Sequence, residues 1–240
     1  MEPSQAGLLR AQRVVLLACA AAVTLAAWIW LAGGSVSLLP GHQHHHAGWR
    51  AFASLAWMWQ VMMVAMMTPA AVEWLLAYAA LARRGLQSAA AFAAGYFVVW
   101  SGYSMVAAGA QMALTHAGFL ADGRLPGQAG GAVLIAAGLL YFTPFQRACL
   151  TQCRNPLTHF LARWKNGPPG GFRLGIAHGA YCVGCCWMLM LTAFAMGVMN
   201  VLWMAVLTLL ISVEKLAARG EHIGAVAAAG MTIAGLVLLF

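Results

Sequence analysis

Seven apolar runs, each at or above the length needed to cross a bilayer, follow one another along this chain with short polar breaks between them. They fall at 13–33, 52–80, 88–115, 127–146, 174–196, 199–217 and 222–240. About 20 apolar residues coil into a helix that spans the hydrocarbon layer and satisfies its own backbone there. Charge is scarce: 8% of the residues are charged against 63% apolar, whereas a soluble domain carries about a quarter charged. Water is therefore not the main solvent of this chain. The expectation is an all-α polytopic transmembrane helical bundle of about seven spans. Residues 1–240 then form a single integral membrane domain with a short cytoplasmic tail over 1–12.

The net charge of +8 reads as orientation, not as a nucleic-acid surface, because Lys and Arg collect in cytoplasmic segments. With the N-terminus inside, the inner segments hold Arg10, Arg13, Arg83, Arg84, Arg147, Arg154, Arg163, Lys165, Arg173, Lys215 and Arg219. The outer segments hold only Arg50 and Arg124, so the chain is expected N-in and C-out. The first run has the basic flank of a signal peptide, but its core is long and Leu31-Ala32-Gly33-Gly34 is a poor cleavage site, which favours a retained anchor. The second run exceeds what a membrane needs, and Pro69 within it predicts a kink. A cytoplasmic interfacial helix is expected within about 149–171, where basic residues alternate with Leu157, Phe160, Leu161 and Trp164.

Three constellations carry chemistry. His42, His44, His45 and His46 cluster in the outer loop before the second span. Neutral imidazoles bind copper, zinc or nickel, and the alternative is an ordinary solvated loop. In the second span, Met58, Met62 and Met66 recur at i, i+4, as do Met63 and Met67, so thioethers stack along helix faces. Soft thioethers suit Cu(I); they are also good packing groups. The densest set is in the fifth span, where His178, Cys182, Cys186 and Met190 lie at i, i+4 and Cys185 adjoins them. Cys149 and Cys153, again i, i+4, are expected at the cytoplasmic end of the fourth span. Five cysteines thus converge on one side, in a pattern that simple packing explains poorly and that suits soft-metal ligation or redox use. Structural disulfides are disfavoured on the reducing side of the membrane. Cys19, alone in the first span, reads as a small packing residue.

Glu73 is expected at the lipid interface, while Glu214 either pairs with a neighbouring cation or is functional. Gln60 and Gln111 are placed to bond helix to helix.

Three blocks together resemble a bacterial family of predicted metal-binding integral membrane proteins. They are Trp57-Met58-Trp59-Gln60-Val61-Met62-Met63-Val64-Ala65-Met66-Met67-Thr68-Pro69, Tyr141-Phe142-Thr143-Pro144-Phe145-Gln146-Arg147-Ala148-Cys149-Leu150-Thr151-Gln152-Cys153-Arg154, and His178-Gly179-Ala180-Tyr181-Cys182-Val183-Gly184-Cys185-Cys186-Trp187. The pattern continues through Gly197-Val198-Met199-Asn200 and Glu214-Lys215, and it covers roughly 50–220. The family includes a membrane copper chaperone that loads a bacterial tyrosinase. The resemblance implies copper handling by the Met stripe, Cys149, Cys153, His178, Cys182, Cys185 and Cys186. The histidine cluster lies outside the matched region.

The function expected is copper binding, with Cu(I) favoured and zinc still open, and delivery to a recipient cuproenzyme from the bacterial cytoplasmic membrane. The expected partners are that recipient and the lipid bilayer, without nucleic acid, and no catalytic role is expected. A copper or other soft-metal transporter is the first rival. A membrane thiol–disulfide oxidoreductase is the second, and the enzymatic one.

Overall fold

The apolar runs fold as helices because each is rich in Ala, Leu and Met and is broken mainly where Gly, Pro or Asn enters. The computed structural model describes residues 3–34, 48–82, 85–155, 164–165, 167–217 and 219–239. Among these there are eight helices and no strand beyond an isolated bridge between Ala121 and Arg124. They are α1 (Pro3–Gly34), α2 (Trp49–Leu81), α3 (Gly85–His116), α4 (Gly127–Tyr141), α5 (Pro144–Arg154), α6 (Gly167–Met196), α7 (Val201–Leu216) and α8 (Gly220–Leu239). Five of them are long and apolar enough to cross a membrane, or six if the bent pair α4–α5 counts as one span. Their outward faces are apolar: Ile29, Val106, Leu202, Val226 and Val237 are all more than 60% exposed. Such a surface is compatible with lipid and costly in water.

α6 sits at the centre, with α3, α4 and α5 packed on it. Its contact with α3 is the most extensive in the molecule and runs along a ladder of glycines. A Cβ on Gly171 would strike the carbonyl of Ser88, one on Gly175 that of Phe92, and one on Gly179 would crowd Tyr96 and Val99. The paired numbers rise together in steps of about four, so α3 and α6 are parallel and nearly in backbone contact, as small residues allow. α4 and α8 close on each other in the same way but antiparallel, with Gly131 against Gly235 and Gly138 against Ala228 and Thr232. α2 packs antiparallel to α3: Trp59 Nε1 donates to Gln111 Oε1 at 2.7 Å near one end, and Trp74 stacks on Phe92 near the other. Gln111 thus ties two helices together. α1 lies on the outside against α2, and its Cys19 is exposed on the helix surface, not packed as expected.

Two boundaries differ from the sequence reading. The fourth run, expected unbroken over 127–146, ends at Tyr141, and the chain turns by 66° into α5. Thr143 caps the new helix, its Oγ1 accepting from Gln146 N, and Pro144 occupies the first turn where no backbone donor is needed. The expected interfacial segment is therefore divided. Residues 149–154 belong to α5, 156–163 lie outside the described residues, and 167–171 open α6, which starts at Gly167 instead of 174. α2 passes through Pro69 as one continuous helix.

A buried thiol cluster as the candidate metal centre

α5 is amphipathic in the simplest way. Its buried residues are Gln146, Cys149, Leu150 and Cys153, the i, i+3, i+4, i+7 stripe that faces a core. That stripe lies against α6 just where α6 carries Cys182, Cys185 and Cys186. Trp74 of α2 holds the end of α5, its Nε1 donating to Cys153 O at 2.7 Å, and Gln146 Nε2 donates to Cys185 O.

Four sulfurs meet at this junction. Cys153 Sγ is 3.7 Å from Cys185 Sγ, and Cys185 Sγ is 3.4 Å from Cys186 Sγ. All three neighbour Cys182, whose sulfur accepts from Lys215 Nζ at 2.9 Å and is 3.1 Å from Tyr96 Oη. Every one of these thiols is buried, and all six cysteines of the chain are free. Two successive helices, α5 and α6, thus supply the sulfurs, and α7 and α3 supply the ammonium and the phenol.

No group of three or more His, Cys, Asp or Glu among the described residues stands ready-placed as a set of metal ligands. The sulfurs are at hydrogen-bonding separations instead. Three-coordinate bonds of about 2.3 Å would hold their sulfurs about 4.0 Å apart. The observed 3.4 and 3.7 Å fall short of that by only a few tenths of an ångström. A soft, polarizable donor set at nearly the right spacing fits a soft cation.

The other expected ligands are placed differently. Cys149 lies behind the cluster against Gly184, where a Cβ would come within 2.8 Å of its sulfur. His178 is one turn before Cys182, and its ring is stacked 4.0 Å from Trp74, 5.3 Å from Tyr96 and 5.9 Å from Phe92. It is a buried member of an aromatic stack beside the thiols. Met58, Met62 and Met66 are buried, with Met63, Met67 and Met190, in the same apolar core as the cysteines. His42, His44, His45 and His46 lie outside the described residues. Glu73 is exposed in the last third of α2, and Glu214 is buried.

The sequence reading missed Lys215, Tyr96, Gln146 and Trp74 as parts of the site. Lys215 carried a signal, since an ionisable side chain within an apolar run is a functional candidate by default. The aromatic and amide groups carried none, because nothing local says that they face sulfur.

On the far side of α5 a cavity of about 390 Å³ is lined by Tyr141, Gln146, Arg147, Leu150, Arg154, Glu221 and His222, among others. It shares Gln146 and Leu150 with the buried stripe.

No curated protein and no solved structure matches the chain. A family model described as PpoB2, copper chaperone, matches residues 56–238, a stretch that contains α3 to α7 with every residue of the thiol junction. By that match the chain belongs to the PpoB2 copper chaperone family.

Proposed function

We propose that this chain is an integral membrane protein that holds Cu(I) on Cys153, Cys182, Cys185 and Cys186 and hands it to a recipient cuproenzyme. The observation that carries the reading is the convergence of these sulfurs, from α5 and α6, on one buried point beside a cation. Thiolates are the ligands of choice for Cu(I), and shared sulfurs let it pass from site to site without leaving coordination. The thioethers of Met58, Met62 and Met66 extend the soft surface through the core from that point. In this scheme, His42, His44, His45 and His46 collect the metal outside, and Cys149 and His178 support the thiol site without closing it.

Seven crossings with the N-terminus inside support this division by side. α3 and α6 are parallel while α2–α3 and α4–α8 are antiparallel, which is the pattern that strict alternation requires. α7 has 16 residues, about 24 Å of helix, so its crossing calls for a locally thinned bilayer or flanking side chains that reach outward. The basic residues named above then lie on the cytoplasmic face of a bacterial cytoplasmic membrane.

Anaerobic Cu(I) titration against a competing chelator tests the assignment. The wild type is expected to bind copper stoichiometrically, and the C182S/C185S/C186S variant to lose it. Stoichiometric copper retained by that variant removes the cluster from the mechanism. Uptake into sealed vesicles separates a transporter from a chaperone, which binds without net movement. Trapping of an intermolecular mixed disulfide would support the oxidoreductase reading instead.

A further inference from the structure

We propose that Lys215 makes the thiol site selective for a univalent cation, an inference that rests on the copper-binding reading of the cluster. Lys215 lies one residue from the end of α7, and its side chain is directed inward, 7% exposed. Its ammonium donates to Cys182 Sγ at 2.9 Å. The neighbouring carboxylate does not join it there. Glu214 is directed to Tyr141 and α8, where a Cβ on Gly224 would meet both Tyr141 Oη and Glu214 Oε1. The groups around the ammonium are therefore the sulfurs of Cys182, Cys153, Cys185 and Cys186, with the carboxylate of Glu214 as the neighbouring acid.

A fixed positive charge inside a dry sulfur site discriminates by cation charge. A metal bonded to Cys182 at about 2.3 Å lies at most about 5 Å from the ammonium. Two thiolates, one univalent ion and the ammonium sum to zero charge. A divalent ion meets twice the repulsion and needs one further ionised thiol to reach neutrality. At an effective dielectric of about 20, the second unit of charge costs on the order of hundredfold in affinity. Lys215 is thus a specificity residue that need not itself be a ligand. Sulfur softness favours Cu(I), and the ammonium adds a penalty against zinc that softness alone does not supply.

The test compares Cu(I) and Zn(II) affinities, each measured anaerobically with a competing chelator, for the purified wild type, Lys215→Met and Lys215→Arg. The wild type is expected to bind Cu(I) and to hold Zn(II) weakly. In Lys215→Met the ratio of Zn(II) to Cu(I) affinity is expected to rise about hundredfold. Lys215→Arg, which keeps the charge, is expected to keep the wild-type ratio. Should the Met variant not be recovered as a monodisperse protein, the same ratio is read on Lys215→Gln. A ratio within threefold of wild type in the uncharged variant overturns the proposal while leaving copper binding in place. A wild type that binds Zn(II) as tightly as Cu(I) also overturns it. A wild type that binds no Cu(I) removes both readings together.

Discussion

At the scale of single residues, the two cysteines of α5 separate although they sit one turn apart. Cys153 reaches Cys185 at 3.7 Å, whereas Cys149 rests on Gly184 behind the cluster. Cys153→Ser is therefore expected to weaken Cu(I) binding at least tenfold, and Cys149→Ser to leave it within about threefold. Chelator competition on the two variants checks this, and equal losses would contradict the division. The thioethers allow a second separation, because Met-to-Leu swaps conserve volume and cost under about 1.5 kcal/mol each. A Met62→Leu/Met66→Leu protein is expected to keep its equilibrium Cu(I) affinity but to load more slowly. Stopped-flow transfer from a chelator measures that rate, and an unchanged rate leaves the stripe as packing. Spacing alone grouped the five cysteines and the thioethers onto helix faces that prove to be buried, because i, i+4 repeats fix a face wherever the helix lies. Spacing could not tell Cys149 from Cys153, nor bring Lys215 to Cys182, since both depend on how distant helices meet.

At the scale of elements, the site depends on a helix that the hydropathy pattern hid. α5 follows α4 after a 66° turn, and an apolar run cannot report a turn within itself. Thr143-Pro144 was the legible sign, an N-cap followed by a residue with no donor to lose. Thr143→Ala removes the cap at a cost of about 1 kcal/mol. Its expected consequence is a few-fold weaker Cu(I) site with normal helix content, read by chelator competition and circular dichroism. Unchanged affinity would show that packing alone holds α5 in place. The α3–α6 contact depends on glycine in another way. Gly175→Leu drives a side chain into the Phe92 carbonyl, whereas nothing lies within 4 Å of a Cβ on Gly230. The first variant is expected to lose its monodisperse peak in detergent and the second to keep it, as size-exclusion chromatography would show.

At the scale of the whole molecule, the helices that were legible from composition form a scaffold around one chemical point. Apolar residues cover the outside and the soft donors are enclosed, so the same hydrophobic character that specifies the bundle also keeps water from the thiols. The all-helical class was readable because apolar length is a local property, although the described residues form eight helices, five or six of them candidate spans, where seven spans were expected. The junction of α2, α3, α5, α6 and α7 was not readable, because a set of near-uniformly apolar helices carries little information about which faces meet. The most direct test of the central claim is X-ray absorption spectroscopy of the purified protein loaded with one equivalent of Cu(I). The account predicts a first shell of two or three sulfurs near ~2.3 Å that disappears in the C182S/C185S/C186S variant. A shell dominated by nitrogen or oxygen near ~2.0 Å, or a sulfur shell that survives those substitutions, would contradict it.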